Sequence, residues 1–369
     1  MIRHLDDSKQ INGYVEQGAT VIKGAARISG PGAVDVNGRS LSAKHIIVAT
    51  GSDAAVPPVD GLDTVPVWTN REATSLREIP DRVVMVGGSA VGTELGQFLH
   101  RFGARVTIVE RSAALLFREE PRVGEILGER LRAEGIDVRT SATATEVRRD
   151  GADTVITLDD GTVARCDVVV VGTGRTPRTA DLGLDTIGVT LGDKGQIRVD
   201  EHCQAADGLW AIGDVTAIMP FSHVAKYQAR IATDTILGRP RAASYQGIPR
   251  VVFTDPEVAA VGLTRAQPDR QGLRIRPLSW TSTLRLPAPG PTSKTLGATS
   301  GCLPTPTRVS CSVPGPSPRW PANGSTRPPW PSAPASRSRF CSTRSRSSPP
   351  TARVPRRAGG TRPRPPQRG

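Results

Sequence analysis

The feature that most constrains the fold is the 29-residue stretch from Arg82 to Glu110. It opens on an unbroken apolar run, Val83-Val84-Met85-Val86, of the kind buried on both faces of a parallel sheet. A glycine-rich turn follows, Gly87-Gly88-Ser89, and then a helical stripe of Val91, Leu95, Phe98, Leu99 and Phe102. Gly103 stops that helix, and Val106 to Glu110 reads as the next strand. A strand–helix–strand unit implies a parallel sheet, since a helical crossover returns the chain to the same edge. A second amphipathic helix is expected from Pro121 to Glu134, ended by Gly135, and a buried strand from Val168 to Val171.

The rest of the body carries fewer signals. Thr20–Gly24 and Ala33–Val36 read as short strands, and Asn37-Gly38 as a tight hairpin turn. Ile46–Val48 is a buried-type strand ending in Ala49-Thr50-Gly51-Ser52. Strands joined at Asp160-Gly161, a strand Leu209–Asp214, a helix from about His223 to Leu237 and strands around Val251–Phe253 complete the α/β pattern.

Charge divides the chain. Residues 281–369 hold 15 basic residues, no acid, 19 of the 32 prolines and 3 of the 5 cysteines. Taking those 15 from the chain's 48 basic residues leaves 33 against 35 acids, a net charge of −2 over the first 280. A basic nucleic-acid-binding body is therefore excluded. No apolar run approaches the roughly 20 residues of a membrane span. The polar start after Met1 lacks a secretory pattern, and Cys166 and Cys203 make no disulfide framework, so a cytoplasmic location is expected. No periodicity survives after about residue 280. The composition there matches GC-rich coding DNA read out of frame, and no stable fold is expected for it.

Gly87-x-Ser89-x-x-Gly92, between a strand and a helix, has the form of a dinucleotide turn whose middle glycine is a serine. Small residues there let the backbone reach a pyrophosphate at a helix N-terminus. Glu110 ends the next strand, where a carboxylate accepts ribose hydroxyls, so NADH is favoured over NADPH. Thr50-Gly51-Ser52 and Gly213-Asp214 end apolar strands on either side of this unit. Three more segments complete a set: Gly172-x-Gly174-Arg175-x-Pro177, Gly195-x-Ile197-x-Val199-Asp200, and Phe253-Thr254-x-Pro256-Glu257.

In these motifs and their order, residues about 10–279 resemble the FAD-dependent pyridine nucleotide–disulfide oxidoreductases. The resemblance implies an NAD domain (81–185) inserted in an FAD domain, whose segments here are 1–80 and 186–243. A remnant of a dimerisation domain (244–279) and a disordered tail (280–369) would follow. It implies FAD contacts from Thr50, Gly51, Ser52, Asp214, Phe221, Ser222 and His223. It implies NAD contacts from Gly87, Gly88, Ser89, Gly92, Glu110 and Gly174. Glu94 matches the acid that pairs with a lysine beside the flavin. The implied reaction carries hydride from NAD(P)H to FAD and on to a disulfide or related small-molecule acceptor, in a homodimeric parent. No metal, membrane or nucleic-acid partner is implied. The family's first Gly-x-Gly-x-x-Gly and its Cys-x4-Cys pair have no counterpart here, so this chain is expected to hold FAD weakly, and with no stable fold in residues 281–369 it is expected not to dimerise. The alternative reading is a non-catalytic NAD-binding fragment.

Overall fold

The computed structural model describes residues 6–264 in full and the backbone of 278–284, 296–303 and 307–310. In chain order, α1 (Ser8–Glu16) precedes a meander of β1 (Ala26–Gly30), β2 (Ala33–Val36) and β3 (Arg39–Ser42). Asn37 (φ 52°) and Gly38 (φ 77°) make the tight β2–β3 turn, as the sequence predicts. Thr20–Gly24 forms no strand: Val21 and Ile22 stay exposed, with no neighbouring strand to pair with. The α1 helix carries only a short apolar stripe, Ile11, Tyr14 and Val15, and buries no residue.

β4 (Ile46–Val48) and β5 (Ser52–Ala54) follow, then β6 (Val67–Trp68), α2 (Asn70–Ser75), β7 (Arg82–Val86), α3 (Ala90–Arg101) and β8 (Arg105–Glu110). α4 (Pro121–Glu134) has Pro at its first turn and Gly135 (φ 103°) at its end, as read from the sequence. β9 (Asp137–Thr140), β10 (Ala144–Asp150), β11 (Asp153–Leu158), β12 (Val163–Cys166), β13 (Val168–Val171) and β14 (Arg175–Pro177) complete this part. A five-stranded parallel sheet in the order β6-β13-β7-β8-β9 is its centre. The pleat sends alternate residues to opposite faces. Val83, Met85, Val106, Ile108, Val168 and Val170 pack under α3 and α4, against Leu99, Leu127 and Leu131. Val84, Val86, Val109, Val169 and Val171 meet the β10–β12 meander through Val147, Ile156 and Leu158. Cys166 is fully buried in that second cluster, and burial pushes its thiol up to about 11, so it packs rather than reacts.

The expected α3 stripe needs correction. Leu99 is buried, but Phe98 and Phe102 are 40% and 64% exposed and pair with each other on the outside. The buried residues of the helix are Gly92, Thr93, Gly96, Gln97 and Leu99, and Leu95 packs against the same core. A Cβ on Gly96 would stand 3.2 Å from Ile108 and 3.4 Å from Met85, so small residues bring the helix close.

Flanking this sheet, β15 (Gln204–Ala206) and β16 (Leu209–Ala211) extend from β4, with β16 and β4 parallel. α5 (Ser222–Ile236) packs its Ile231 and Ala232 against Trp210 and Cys203. β17 (Pro249–Val252) and β18 (Val258–Val261) pair in a sheet with β19 (Leu278–Leu284), β20 (Leu296–Leu303) and β21 (Thr307–Ser310). Its antiparallel order is β17-β18-β21-β20-β19. That sheet corrects the expectation that nothing regular forms after about 280. None of the three strand sequences contains proline, and backbone pairing from Leu278↔Cys302 to Leu284↔Leu296 needs no apolar alternation. The remaining expectation for the tail falls on residues outside the described ones. Among the described residues no helix is long and apolar enough to cross a membrane.

Candidate functional site

The turn at the end of β7 is built almost wholly from backbone. Gly87 (φ 105°) donates its N–H to Val109 O at 2.8 Å. A Cβ on Gly92 would stand 1.9 Å from Gly87 O, and one on Gly87 would stand 2.7 Å from Gly172 O. The two strand ends and the first turn of α3 therefore touch through main chain, and the cradle fits a pyrophosphate approached by backbone N–H groups. Ser89 explains its own place in the pattern. It caps α3 at an ordinary φ of −70°, accepts from Gly92 N–H at 3.4 Å, and donates to Gly172 O at 2.6 Å. Its hydroxyl thereby ties the turn to the end of β13, which a glycine could not do.

Glu110 lies at the end of β8 beside this turn. It is 5% exposed, and its carboxylate accepts Gly88 N–H at 2.7 Å and Ser112 N–H at 2.8 Å. Two such bonds leave further lone pairs on a group that can accept about four. Gly174 (φ 153°) lies on the connection from β13 to β14, and its carbonyl accepts Ala55 N–H.

On the other side, Ser52 Oγ donates to Asp214 Oδ2 at 2.6 Å, and Arg175 Nε donates to Ser52 Oγ at 2.6 Å and sits 3.3 Å from Asp214 Oδ2. Thr50 Oγ1 donates to Arg178 O, and Gly51 (φ 74°) accepts Arg178 N–H. Arg175 belongs to a motif visible in the sequence, but its partner Ser52 lies 123 residues away in the chain, so that contact was not legible.

A cleft of about 240 Å³, open to solvent, joins the two sides. Ser52, Asp214 and Phe221 line it from one side, and Ser89, Gly172 and Gly174 from the other. Phe117 and Arg118, which sequence reading missed, form part of its wall, with the Arg118 guanidinium 5.5 Å from the Phe117 ring centre. Exposed side chains of this kind carry no periodicity to betray them.

Three expected site residues, Ser222, His223 and Glu94, lie off the cleft wall. His223 is exposed and bonds Pro249 O at 3.0 Å through Nε2, and neither it nor Ser222 lines the cleft, although Phe221 stacks on the His223 ring. Glu94 also does not line the cleft: its Oε1 accepts Phe253 N–H at 2.7 Å. Gln97 grips Asp255 N–H and O at 2.8 Å each, and Arg101 adds an ion pair to Asp255, so α3 clamps the segment after β17. Burial pushes the Glu94 carboxyl above its ordinary range, against the lowering effect of the Phe253 N–H. An acid raised in the folded state contributes stability at low pH that is lost as pH rises through its folded value. Glu94→Gln keeps the acceptor oxygen and removes this titration. Its stability at neutral pH should equal or exceed that of the parent by up to about 1 kcal/mol. A urea melt showing a clear loss at neutral pH would mean that the charge itself is required.

The sequence pattern of the family described as pyridine nucleotide-disulphide oxidoreductase matches residues 5–229. A mercuric reductase of Staphylococcus aureus is 33% identical over 293 residues, which cover 78% of this chain and 53% of that protein. A mercuric reductase of Shigella flexneri is 39% identical over 242 residues, 64% of this chain and 42% of the relative. The chain thus spans about half the length of these relatives. Among solved structures, LpdA of Mycobacterium tuberculosis superposes with a TM-score of 0.66 at 28% identity, covering 74% of this chain and 62% of that one. The HOCl-induced flavoprotein disulfide reductase RclA of Escherichia coli, as the Cu(II) complex of a cysteine-to-serine mutant, gives a TM-score of 0.68 at 26% identity, over 76% and 65% of the two chains.

Proposed function

This chain belongs to the pyridine nucleotide-disulphide oxidoreductases, a family whose cofactors are FAD and NAD(P)H, and we propose that it carries the hydride-transfer half of a mercuric reductase-like flavoenzyme. The observation behind this reading is the single cleft shared by Ser89, Gly172 and Gly174 on one side and by Ser52, Asp214 and Phe221 on the other. Hydride transfer needs donor and acceptor rings in van der Waals contact, and a shared cleft lets two cofactors meet. The flavin, when bound, supplies the two-electron acceptor. The chain's own residues bind and orient. Gly87, Gly88 and Gly92 offer main chain to the nucleotide pyrophosphate, and Glu110 accepts from its ribose. Asp214, braced by Ser52 and Arg175, accepts a hydroxyl donor on the flavin side. Phe221 and Phe117 give the cleft an apolar wall. Onward transfer to a disulfide or related acceptor belongs to the parent enzyme. Cys166 and Cys203 lie fully buried in separate clusters, so neither serves as a dithiol.

Anaerobic addition of NADH to FAD-reconstituted protein should bleach the yellow flavin band within one equivalent. Protein that binds NADH and never bleaches added flavin would instead be a non-catalytic nucleotide-binding fragment.

The same reading makes NADH the tighter nucleotide. A 2′-phosphate beside the buried Glu110 carboxylate would bring like charges together in a partly desolvated site. NADPH should bind roughly tenfold more weakly, a difference of about 1.4 kcal/mol. Glu110→Gln should close that gap. Equal or tighter NADPH binding by the parent in a fluorescence titration contradicts the assignment.

A further inference from the structure

Gln228, on α5, carries the inference furthest. Its side chain is fully buried, yet it has no place in any motif of the sequence. Its Oε1 accepts the Gly213 N–H at 2.6 Å, and its Nε2 lies 3.0 Å from Tyr245 Oη and 3.4 Å from Thr216 Oγ1. Thr216 Oγ1 in turn donates to Gly213 O at 2.8 Å. One amide thus grips both ends of the four-residue turn Gly213–Thr216, and Asp214 stands between the two grips, lining the cleft.

The direction of every bond follows from donor chemistry. Gly213 N–H can only donate, so Gln228 must present its oxygen there and its NH2 group to Tyr245. Tyr245 Oη therefore accepts from Gln228, which leaves its own proton for another acceptor. Gly213 itself sits at φ 76°, and a Cβ there would stand 3.3 Å from Ala225 of α5, so the turn lies close against the helix that carries Gln228.

We infer that Gln228 is a positioning residue for the flavin side of the cleft, acting through the Gly213 N–H to fix the turn that carries Asp214. This rests on the flavin reading above and adds the part that sets the angle of its carboxylate. A buried N–H deprived of its acceptor takes water or another partner if the turn can rotate, and rotation would swing Asp214. Gln228→Met keeps the volume and removes both grips. Gln228→Glu keeps an oxygen on Gly213 N–H and turns the Tyr245 bond round, with the tyrosine now donating to the carboxylate. Tyr245→Phe removes only the far end of the chain.

The test is a pair of measurements on the full-length chain. In flavin-free protein, hydrogen exchange at the Gly213–Ala217 amides should be at least tenfold faster in Gln228→Met and close to the parent in Gln228→Glu, with Gly88 unchanged in both. In an FAD titration followed by flavin fluorescence, Gln228→Met should bind at least tenfold more weakly, Gln228→Glu within threefold of the parent, and NADH equally well throughout. Unchanged exchange in Gln228→Met overturns the positioning role whether or not the parent binds FAD. Faster exchange with FAD affinity unaltered also overturns it, because the turn would then not orient the flavin contact. A parent that takes no FAD at all refutes the flavin reading, and the positioning role falls with it, leaving only a structural grip on the turn. Tyr245→Phe variants as impaired as Gln228→Met would shift the role from the amide to the tyrosine and overturn the assignment to Gln228.

Discussion

Gly92→Ala should weaken NADH binding at least 100-fold, about 2.7 kcal/mol, and lower the melting temperature as well. The added methyl would stand 1.9 Å from Gly87 O, a backbone atom that cannot rotate aside. Gly87 cannot retreat either, because its own Cα faces Gly172 with only 2.7 Å to spare for a Cβ. Relief requires α3 to lift from the β7 end, and lifting it withdraws the helix N-terminus and the N–H groups that meet the pyrophosphate. Gly13→Ala is the matched control. It lies on α1 with nothing within 4 Å, so alanine there should gain helix propensity of up to about 1 kcal/mol and leave nucleotide binding alone. Isothermal titration of the two variants separates the cases. Gly92→Ala binding NADH within threefold of the parent would remove this turn from the nucleotide site.

What could be read from the sequence was what is decided locally. β7 and β13 announced themselves through unbroken apolar runs, as strands covered on both faces require, and β8 through Val106, Ile108 and Val109. α4 was legible to the residue because Pro121 and Gly135 mark its ends through backbone geometry alone. The α3 stripe misled because its closest contacts with the sheet are made by glycines, which carry no hydrophobic signal, while Phe98 and Phe102 look like core and stand outside. Glu94 shows a different limit of local reading. The partner that fixes its role, Phe253 N–H, is 159 residues away, and helical position says nothing about such a distance. The same holds for Ser52 and Asp214, 162 residues apart: the motifs placed both near a flavin, and only the fold showed that they bond each other through one carboxylate oxygen. The strands between 278 and 310 were hidden by averaging. Composition over the whole tail is proline-rich and basic, but the three paired segments are themselves free of proline.

Arg250→Ala should cost more stability than any surface change in this chain, about 2–4 kcal/mol, toward the range expected when one partner of a buried ion pair is removed. Arg250 on β17 gives Nε and Nη2 to the two carboxylate oxygens of Glu119 at 2.7 and 2.9 Å, and Nη1 to Gly262 O at 2.9 Å. The two side chains are only 16% and 10% exposed. Without the guanidinium, Glu119 is left charged in a site that water barely reaches, and the fork geometry that repaid its desolvation is lost. Glu119→Ala leaves the mirror-image problem, an unpaired Arg250. The double variant removes both charges, so it should be less destabilised than the two single effects added together, giving a coupling energy of about 1–3 kcal/mol. The effect should also reach the nucleotide. Glu119 closes a short segment in which Leu116 adopts a left-handed φ of 53° and donates its N–H to Gly88 O at 2.9 Å, on the turn itself. Phe117 and Arg118 hang from that segment into the cleft wall. Urea unfolding should therefore show a lower midpoint for Arg250→Ala, and NADH titration a weakening of several-fold in the same protein. If both single variants lose less than about 1 kcal/mol and add without coupling, the pair is a solvated contact, and β17 is held to the nucleotide domain by the α3 clamp and the packing of Val252.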